Sequence, residues 1–432
     1  MSTDPRDTST AGNDGNQSEQ RGGGLLRAFG TGVITGAADD DPSAIGTYAS
    51  AGARFGLGFL WIAPLLLPMM YAVVYLSAKV GQVYGQGLFA AIRDHYPKRV
   101  LYPMLVAAVA GNVIEAAADL GGIAAALNIF LPAPIPVLVT GVAILILGLQ
   151  YFGSYYLLRR IFRWLALALF AYFAAAVLAK PDPLEVLRNT FLPRPELTKE
   201  YLSMIVACIG TSLSAYIYTW QSNQEVEEKI AAGRRRQGAT STELRRTRRD
   251  VVIGMTFSNA ILYFILLSTG STLHTAGVTD VESAAQAARA LTPLAGEAAG
   301  LLFALGVVGV GFLAVPVMTT GAAYDLVQCA RKKGTLHARP QEAKFFYATI
   351  AIITALAVGL NFLGFNPMKA LVWSGIVQGF SAPPLLLLIM LLTNRRDVMG
   401  GNTNGRVTNV LGWTTTAATF AATVALVATW LL

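Results

Sequence analysis

The stretch GAADDDPSAIG, residues 36–46, places three consecutive aspartates and a proline inside an otherwise apolar segment. The acids are Asp39, Asp40 and Asp41, and Pro42 follows them. Proline lacks a backbone N–H and biases the preceding residue away from helical dihedral angles. A helix break is therefore predicted at Asp41.

The composition of the whole chain places this break in a membrane. Of 432 residues, 54% are apolar and 13% charged, and the mean hydropathy of +0.51 is too high for a soluble globular protein. A helix needs about 20 apolar residues to cross the hydrocarbon layer. The chain has eleven such runs, so one all-α integral membrane domain is predicted over residues 25–431, after a polar, disordered tail at residues 1–24. The predicted spans are residues 25–50, 56–83, 100–130, 135–155, 161–178, 201–220, 251–272, 294–327, 345–363, 367–392 and 410–431.

Loop charge orients these spans. Arginine and lysine cluster at residues 93–99, 159–163, 229–249, 331–339 and 395–406, and all five clusters share one face under an eleven-span count. Basic loops stay cytoplasmic, so the amino terminus is predicted inside and the carboxyl terminus outside. The arginine-rich stretch within residues 229–249 also suggests nucleic-acid binding, but no aromatic platform accompanies it. Topology and contact with anionic lipid headgroups are favoured.

Depth makes Asp41 a candidate site residue. It follows the predicted start of the first span by 16 residues, about 24 Å at the helical rise, near mid-membrane. An ionisable residue at that depth indicates a functional site, and broken backbone is tolerated there only inside protein or beside water. The alternative is a proline kink whose acids pair with a nearby Lys or Arg, but no basic residue lies in the core of the predicted spans, except Lys79 and Lys369 near the ends of theirs.

A second interruption lies in the sixth span, ACIGTSLSAYIYTW, residues 207–220. Gly210, Thr211, Ser212 and Ser214 form a polar patch with weak helix propensity. Two broken spans that lie five apart indicate an inverted five-plus-five repeat, in which unwound backbone exposes carbonyls at the midplane. Carbonyl and carboxylate oxygens together suit a hard cation. The alternative for this patch alone is Ser/Thr hydrogen bonding to carbonyls of an intact helix.

These two stretches resemble one family. GTGVITGAADDDPSAIGTYASAGARFG resembles the first helix of the Nramp (natural resistance-associated macrophage protein) metal-ion transporters, which carry Asp-Pro-Gly-Asn there. IGTSLSAYIYTWQS resembles the sixth, which carries Met-Pro-His. The resemblance implies a LeuT-like fold with helices 1 and 6 broken, repeats at about 25–180 and 200–394, and an extra helix at about 409–431. It further implies divalent-metal uptake, with a proton as the common coupling ion. Asp41 matches the metal-binding aspartate, Thr211 a backbone carbonyl that faces the metal, and Asp119 an acid on the proton route.

The departures from the family pattern bear on selectivity. Ser43 and Ala44 stand where Gly and a metal-binding Asn are expected, and Ser214, Ala215 and Tyr216 replace Met, Pro and His. A thioether favours softer transition metals, so its loss hardens the site. Nramp-related proteins without this Met are associated with magnesium. The predicted metal site comprises Asp41, Thr211, Ser214, Asp40, Ser43 and Ala44. It should hold Mg²⁺, which binds to one or two carboxylates and keeps its waters, and should also admit Mn²⁺.

Carboxylates are the candidates for proton coupling, because Tyr216 replaces the family histidine. Glu115 and Asp119 lie four residues apart on one helix face. The alternative is that they make polar contacts between helices. Asp39, Tyr216 and Gln378, which lies one turn from the position that the family often fills with Gln, complete the predicted surroundings. The end of the sixth span carries three further acids, Glu225, Glu227 and Glu228. One interpretation is that they attract exiting cations; the favoured one is that they form a solvated helix end.

Three function classes follow. A secondary transporter that imports divalent cations by alternating access is favoured. An ion-coupled symporter of an organic or anionic substrate on the same scaffold is the alternative, although the aspartates repel an anion. A sensor or scaffold ranks third. An enzyme is not expected, because no nucleophile motif, metal triad or phosphate loop is present. The predicted partners are the metal ion and the lipid bilayer, without nucleic acid or resident cofactor, and a single chain suffices because it contains both repeats.

Overall fold

The computed structural model describes residues 31–152, 170–196, 198–332, 334–336 and 338–431, and within these ranges the secondary structure is helical, without a β-strand. The principal helices are α1 (Thr31–Asp39), α2 (Pro42–Phe55), α3 (Ile62–Tyr84), α4 (Leu88–His95), α5 (Lys98–Asn128), α6 (Ile135–Phe152), α7 (Phe170–Leu178), α8 (Pro183–Phe191), α9 (Lys199–Ser212), α10 (Ala215–Ala231), α11 (Ser241–Thr269), α12 (Ala299–Cys329), α13 (Lys344–Asn361), α14 (Pro367–Asn394) and α15 (Arg406–Leu431).

In its described part, each predicted span coincides with a helix or part of one. Among the described residues, nine helical stretches are long and apolar enough to cross a membrane, with α9 and α10 counted as one stretch. The other two predicted spans are the first, which α1 and α2 share, and the fifth, whose described part is α7. The predicted tail, the start of the first span and the basic residues Arg159, Arg160, Arg163 and Lys333 lie outside the described residues.

Both predicted breaks are confirmed. Asp41 has φ −66° and ψ 170°, and its side chain caps α2 by accepting a hydrogen bond from the backbone N–H of Ala44. Pro42 is the first residue of α2, where its missing N–H costs no helical hydrogen bond. In the sixth span α9 ends at Ser212, and Ser214 is again non-helical, with φ −58° and ψ 138°, before α10 begins.

Glycines allow the broken helices to approach their neighbours closely. A Cβ on Gly210 of α9 would lie 1.8 Å from the carbonyl oxygen of Gly375 on α14. A Cβ on Gly36 of α1 would lie 2.3 Å from the carbonyl oxygen of Gly254 on α11. Membrane helices associate by such backbone contacts, because lipid supplies no hydrophobic drive between them. The broken helices are therefore held tightly against α11 and α14.

The described basic loops lie on one face of the bundle, which we call the basic face. The loop at residues 232–240 contacts the end of α3 through a hydrogen bond from Gly238 N to Val83 O, 2.8 Å long. The loop at residues 400–405 joins it through Asn402, whose amide donates to Ala239 O at 3.2 Å. Connections on the other face contact one another in the same way, for example through the ion pair of Lys369 with Glu282 at 3.2 Å.

Lys229 holds the arginine-rich loop, residues 232–240, against α3. Its ammonium is buried and donates to three backbone carbonyls, those of Gln82 (2.7 Å), Arg236 (3.2 Å) and Gly238 (2.6 Å). The solvated helix end predicted for this region is wrong for Glu225, which is 2% exposed. It accepts hydrogen bonds from Gln82 and other side chains, because α10 runs between α3 and α12 instead of ending at the surface.

Candidate metal centre

Ser43 joins the two helix breaks. Its hydroxyl lies 2.7 Å from Asp41 Oδ1, 3.3 Å from Glu115 Oε1 and 3.1 Å from the Thr211 hydroxyl. Its backbone N–H donates to Asp119 Oδ1 at 2.9 Å. All five residues are fully buried. The residue that stands at the family's glycine position is thus the contact point of α2, α5 and α9.

Asp41 is fully engaged by hydrogen bonds. Its Oδ1 accepts from Ala44 N at 2.6 Å as well as from the Ser43 hydroxyl. Its Oδ2 accepts from the Tyr216 hydroxyl at 2.7 Å, and the same hydroxyl lies 2.8 Å from the carbonyl oxygen of Ala38. The Ala44 side chain is a methyl group, so this residue reaches the site only through its backbone. A cation at Asp41 has to replace or share the Tyr216 or Ser43 contact.

Ser214 lies at the second break and faces α5. Its hydroxyl is 2.7 Å from Glu115 Oε1, 2.9 Å from Gly210 O and 3.2 Å from Thr211 O. A hydroxyl has one proton to donate, so these acceptors compete for it. The hydrogen bonding of a serine to helix carbonyls, predicted as an alternative to the break, is therefore present together with the break.

The two acids of α5 both face the breaks, as their spacing predicts. Glu115 Oε2 accepts a 2.6 Å hydrogen bond from the amide of Gln378 on α14, in addition to the bonds that its Oε1 accepts. Asp119 Oδ2 has no hydrogen-bond partner, and neither does the side chain of Asn112, which lies one turn before Glu115 and is fully buried. Unpartnered buried polar atoms are rare in folded proteins. Here they surround the candidate site.

Asp39 and Asp40 face a different helix from Asp41. The hydroxyl of Ser258 on α11 lies 2.7 Å from Asp39 Oδ2 and 2.9 Å from Asp40 Oδ1, while Asp39 Oδ1 and Asp40 Oδ2 have no partner. Because one hydroxyl proton serves only one carboxylate at a time, two ionised acids leave one of these contacts without a hydrogen. The run of three acids therefore divides into Asp41 at the breaks and a pair at α11.

Three participants, Ser258, Asn112 and Tyr48, were not anticipated from the sequence. The Tyr48 hydroxyl lies 2.9 Å from that of Ser212, a residue of the polar patch, across the α2–α9 contact. A signal existed for Ser258, which precedes Asn259 as a polar pair within the apolar run 251–272. Asn112 is likewise polar inside the apolar run 100–130, so an intramembrane amide, like an intramembrane acid, indicates a candidate site.

The electrostatics favour a cation. Asp39, Asp40, Asp41, Glu115 and Asp119 are all fully buried, and in the part of the chain that the structure describes none of them forms an ion pair with Lys, Arg or His. The predicted alternative, a kink with acids paired to basic residues, has no support there. No three His, Cys, Asp or Glu side chains among the described residues converge on one metal position. Oxygen atoms from hydroxyls, side-chain amides, backbone carbonyls or water would therefore have to complete any ligand set.

Comparisons with known proteins match the chain to one family. The family model for natural resistance-associated macrophage protein-like (Nramp) proteins matches residues 32–429. Among curated proteins, the divalent metal cation transporter MntH of Mycobacterium tuberculosis (strain ATCC 25618 / H37Rv) is 30% identical over 382 residues, which are 86% of this chain and 84% of that protein. The protein of the same name from Deinococcus radiodurans is 28% identical over 403 residues, 90% of this chain and 86% of that protein.

Solved structures share the fold. A manganese transporter of Eremococcus coleocola, in complex with an aromatic bis-isothiourea substituted compound, superposes with a TM-score of 0.71 at 17% identity, covering 97% of this chain and 87% of that one. The inward-facing conformation of Mhp1 superposes with a TM-score of 0.51 at 14% identity, covering 91% and 90%. The predicted LeuT-like fold with broken first and sixth helices is thereby confirmed.

Proposed function

Because the chain belongs to the Nramp family, whose members are membrane transporters and not enzymes, we propose that it is a secondary transporter that imports hard divalent cations, Mg²⁺ or Mn²⁺. One observation carries the proposal. Five buried carboxylates surround the two helix breaks, and within the described ranges no basic side chain neutralises them. Isolated buried charges cost several kcal/mol, so a bound cation is the natural counter-charge.

An organic or anionic substrate is disfavoured by the same charges. The breaks expose helix ends, and the N-terminus of α2 would attract an anion. Asp41 already caps that end with its own carboxylate, and Glu115 lies 2.7 Å from the Ser214 hydroxyl at the second break. An anion would meet like charge at both breaks.

The ligand chemistry supports a hard ion. The side chains in hydrogen-bond contact with Asp41 and Glu115 are hydroxyls and one amide, and Asp119 accepts from the backbone N–H of Ser43. Magnesium and manganese accept oxygen ligands, whereas cadmium and other soft ions prefer sulfur. Ser214 is the residue that we assign to this preference, because it stands where the family carries a thioether.

Transport through the site requires access from each side in turn. The site is fully buried between two clefts, one of ≈750 Å³ on the basic face and one of ≈220 Å³ on the opposite face that Arg54 and Lys369 help to line. We infer that rearrangement of the broken helices opens these clefts alternately toward Asp41. We assign the basic face to the cytoplasm by its arginines, which puts the amino terminus inside and the carboxyl terminus outside. A cysteine at Ser241 should then label from the cytoplasm and one at Gly364 from outside, and labelling of both from one side would overturn this topology.

The coupling ion that we propose is a proton carried by Glu115 and Asp119. A chain of contacts runs from Asp41 through the Ser43 hydroxyl to Glu115, and the Ser43 N–H links it to Asp119. Tyr216 donates to Asp41 and Gln378 to Glu115 at the two ends of this chain, whereas the predicted neighbour Asp39 contacts Ser258 on α11 instead. Metal uptake that is driven by an inward pH gradient in wild type and lost in Asp119→Asn supports the assignment. Gradient-driven uptake that survives in Glu115→Gln and Asp119→Asn contradicts it.

The function is tested with purified protein in liposomes. Uptake and calorimetric binding are measured with Mg²⁺, Mn²⁺, Cd²⁺ and a small organic anion. Saturable uptake of Mg²⁺ or Mn²⁺ without the organic anion is expected. Binding of the organic anion without any divalent cation would overturn the proposal. One monomeric chain per liposome should suffice, because each chain contains both repeats (about 25–180 and 200–394) and the extra helix at about 409–431.

Selectivity is tested with the double variant Ser214→Met, Ala44→Asn, which restores part of the family's ligand set. Cd²⁺ and Mn²⁺ should gain on Mg²⁺ in competition, because sulfur binds softer ions. The single variant Ala44→Asn, which adds the amide without the sulfur, is the control for the contribution of the thioether. An unchanged ion order in a folded, transporting double variant means that these positions do not face the ion.

A further inference from the structure

Asp325, on α12, is a buried acid that the site at the breaks does not use. It is fully buried, and neither of its carboxylate oxygens has a hydrogen-bond donor. The Thr219 hydroxyl interacts with it, but the hydrogen bond of that hydroxyl goes to the Tyr216 carbonyl, 3.3 Å away. The hydroxyl of its neighbour Tyr218 is also buried without a partner. A carboxylate without donors is costly at membrane depth and calls for a counter-ion.

Its place in the fold lies between the helix breaks and the basic face. One turn earlier on α12, a Cβ on Gly321 would lie 3.7 Å from Thr219 Oγ1 and 3.9 Å from Tyr216 O. Tyr216 in turn donates to Asp41. This end of the α10–α12 contact therefore reaches the candidate metal site directly.

The other end of the same contact reaches the cleft on the basic face. Nearly one turn after Asp325, the amide of Gln328 donates to Asn223 on α10. Gln328, Asn223, Tyr324 and Glu227 all line the cleft of ≈750 Å³. Tyr216, Thr219 and Asn223 follow one another at helical spacings of three and four residues, so one face of α10 runs from Asp41 past Asp325 to the cleft.

We propose that Asp325 is a second, transient binding station for the transported divalent cation, between Asp41 and the cleft on the basic face. This inference rests on the proposed function. A hard cation that keeps most of its waters needs only one or two carboxylates, and Asp325 offers two oxygens without competing donors. The Thr219 and Tyr218 hydroxyls supply further oxygens beside it. The station neutralises Asp325 while it is occupied and gives the cation an oxygen ligand after it leaves Asp41.

The test compares Asp325→Asn with wild type in Mn²⁺ uptake by proteoliposomes and in Mn²⁺ calorimetry in detergent. Asparagine keeps the shape and removes the charge. The maximal uptake rate should fall at least tenfold, while the Kd of the main site stays within twofold of wild type. Asp325→Glu should recover part of the rate. Asp397→Asn is the matched control, since it removes an exposed acid on the same face that pairs with Arg395, and it should transport normally.

Several outcomes overturn the inference. Normal uptake in Asp325→Asn means that the carboxylate plays no part in transport. A loss of Mn²⁺ binding as large as that of Asp41→Asn means that Asp325 belongs to the main site. A rate loss that Asp325→Glu does not relieve at all indicates a packing role. If Asp325→Asn does not fold, Asp325→Ser is judged by the same rate and affinity. Absence of divalent uptake in wild type refutes the proposed function itself, so the two failures are distinguishable.

Discussion

Replacing Asp41 by asparagine separates the structural role of this residue from the role in cation binding that we propose for it. As the cap of α2, Asp41 uses Oδ1, which accepts from Ala44 N at 2.6 Å and from the Ser43 hydroxyl at 2.7 Å. An asparagine oxygen accepts both bonds, and asparagine is as good an N-cap as aspartate. The new amide replaces Oδ2 opposite the Tyr216 hydroxyl, which can keep its bond to Ala38 O. The fold should therefore survive Asp41→Asn.

The loss of cation affinity should be larger than the loss of stability. The hydrogen bonds that change are worth about 1 kcal/mol net. By contrast, two unit charges 4 Å apart interact by about 4 kcal/mol at an effective dielectric constant of about 20, and a divalent ion doubles that attraction. The other four buried acids offset part of this loss. We expect Mn²⁺ or Mg²⁺ affinity to weaken at least tenfold, which corresponds to about 1.4 kcal/mol.

The assay is calorimetric titration of purified wild type and Asp41→Asn, with thermal melting of each protein without metal. Asp41→Ala serves as the comparison, because it removes the charge and the cap together, and loss of a cap costs about 1 kcal/mol. Asp41→Ala should melt lower than Asp41→Asn, while both bind the cation weakly. Wild-type affinity in a well-folded Asp41→Asn protein would refute the reasoning and move the cation site away from Asp41.

Four smaller predictions test other parts of the structure. Gly210→Ala forces α9 away from α14, since the new Cβ would lie 1.8 Å from a backbone oxygen. The variant should no longer elute as a monodisperse peak in size-exclusion chromatography, whereas the control Gly141→Ala, which has open space around it, should. Lys229→Met removes three carbonyl contacts and should speed tryptic cleavage of the arginine-rich loop, and an unchanged rate would show that the loop is held otherwise. Asp39→Asn relieves the competition for one hydroxyl proton and should raise the melting temperature with less than threefold change in Mn²⁺ affinity. The Arg93 guanidinium lowers the pKa of Asp94 in the folded protein. The stabilisation by Asp94 is therefore complete above its unfolded pKa of about 3.9 and is lost as pH falls through the lower folded pKa. In Asp94→Asn the melting temperature should depend less on pH in that range.

The spans and breaks were predictable because the membrane makes them local properties of the sequence. A spanning helix satisfies its own backbone hydrogen bonds, so a run of about 20 apolar residues is sufficient evidence for it. Pro42 likewise acts on its immediate neighbour, and the extended dihedral angles of Asp41 follow from that contact alone. The prediction that the basic loops share one face rests on the positions of their arginines, and the hydrogen bond between Gly238 and Val83 agrees with that shared face.

Hydropathy failed where a polar helix is buried in protein. The sixth span was predicted to end at residue 220, because the sequence that follows, QSNQEVEEK, is polar. The helix α10 continues to Ala231, with Gln221, Glu225 and Lys229 all buried. A hydropathy window measures preference for lipid, and it cannot recognise a helix whose polar side chains bond to neighbouring helices. The hydropathy pattern does not indicate Asp325 for a related reason, since one acid hardly lowers the mean hydropathy of a long apolar run.

The partners of the acids depend on tertiary packing. Nothing local relates Ser258 to Asp39 and Asp40, or Gln378 to Glu115, because these residues meet only after the helices have packed. In the sequence the three adjacent aspartates therefore suggest one site, although in the structure they contact two different helices. The break at Asp41 turns its carboxylate toward α9 and α10, whereas Asp39 and Asp40, at the end of α1, point to α11. The consequence for transport is specific: a rearrangement that separates α1 from α11 exposes Asp39 and Asp40, and one that separates α2 from α10 exposes Asp41. The two groups of acids can thus respond to different movements of the same broken helix.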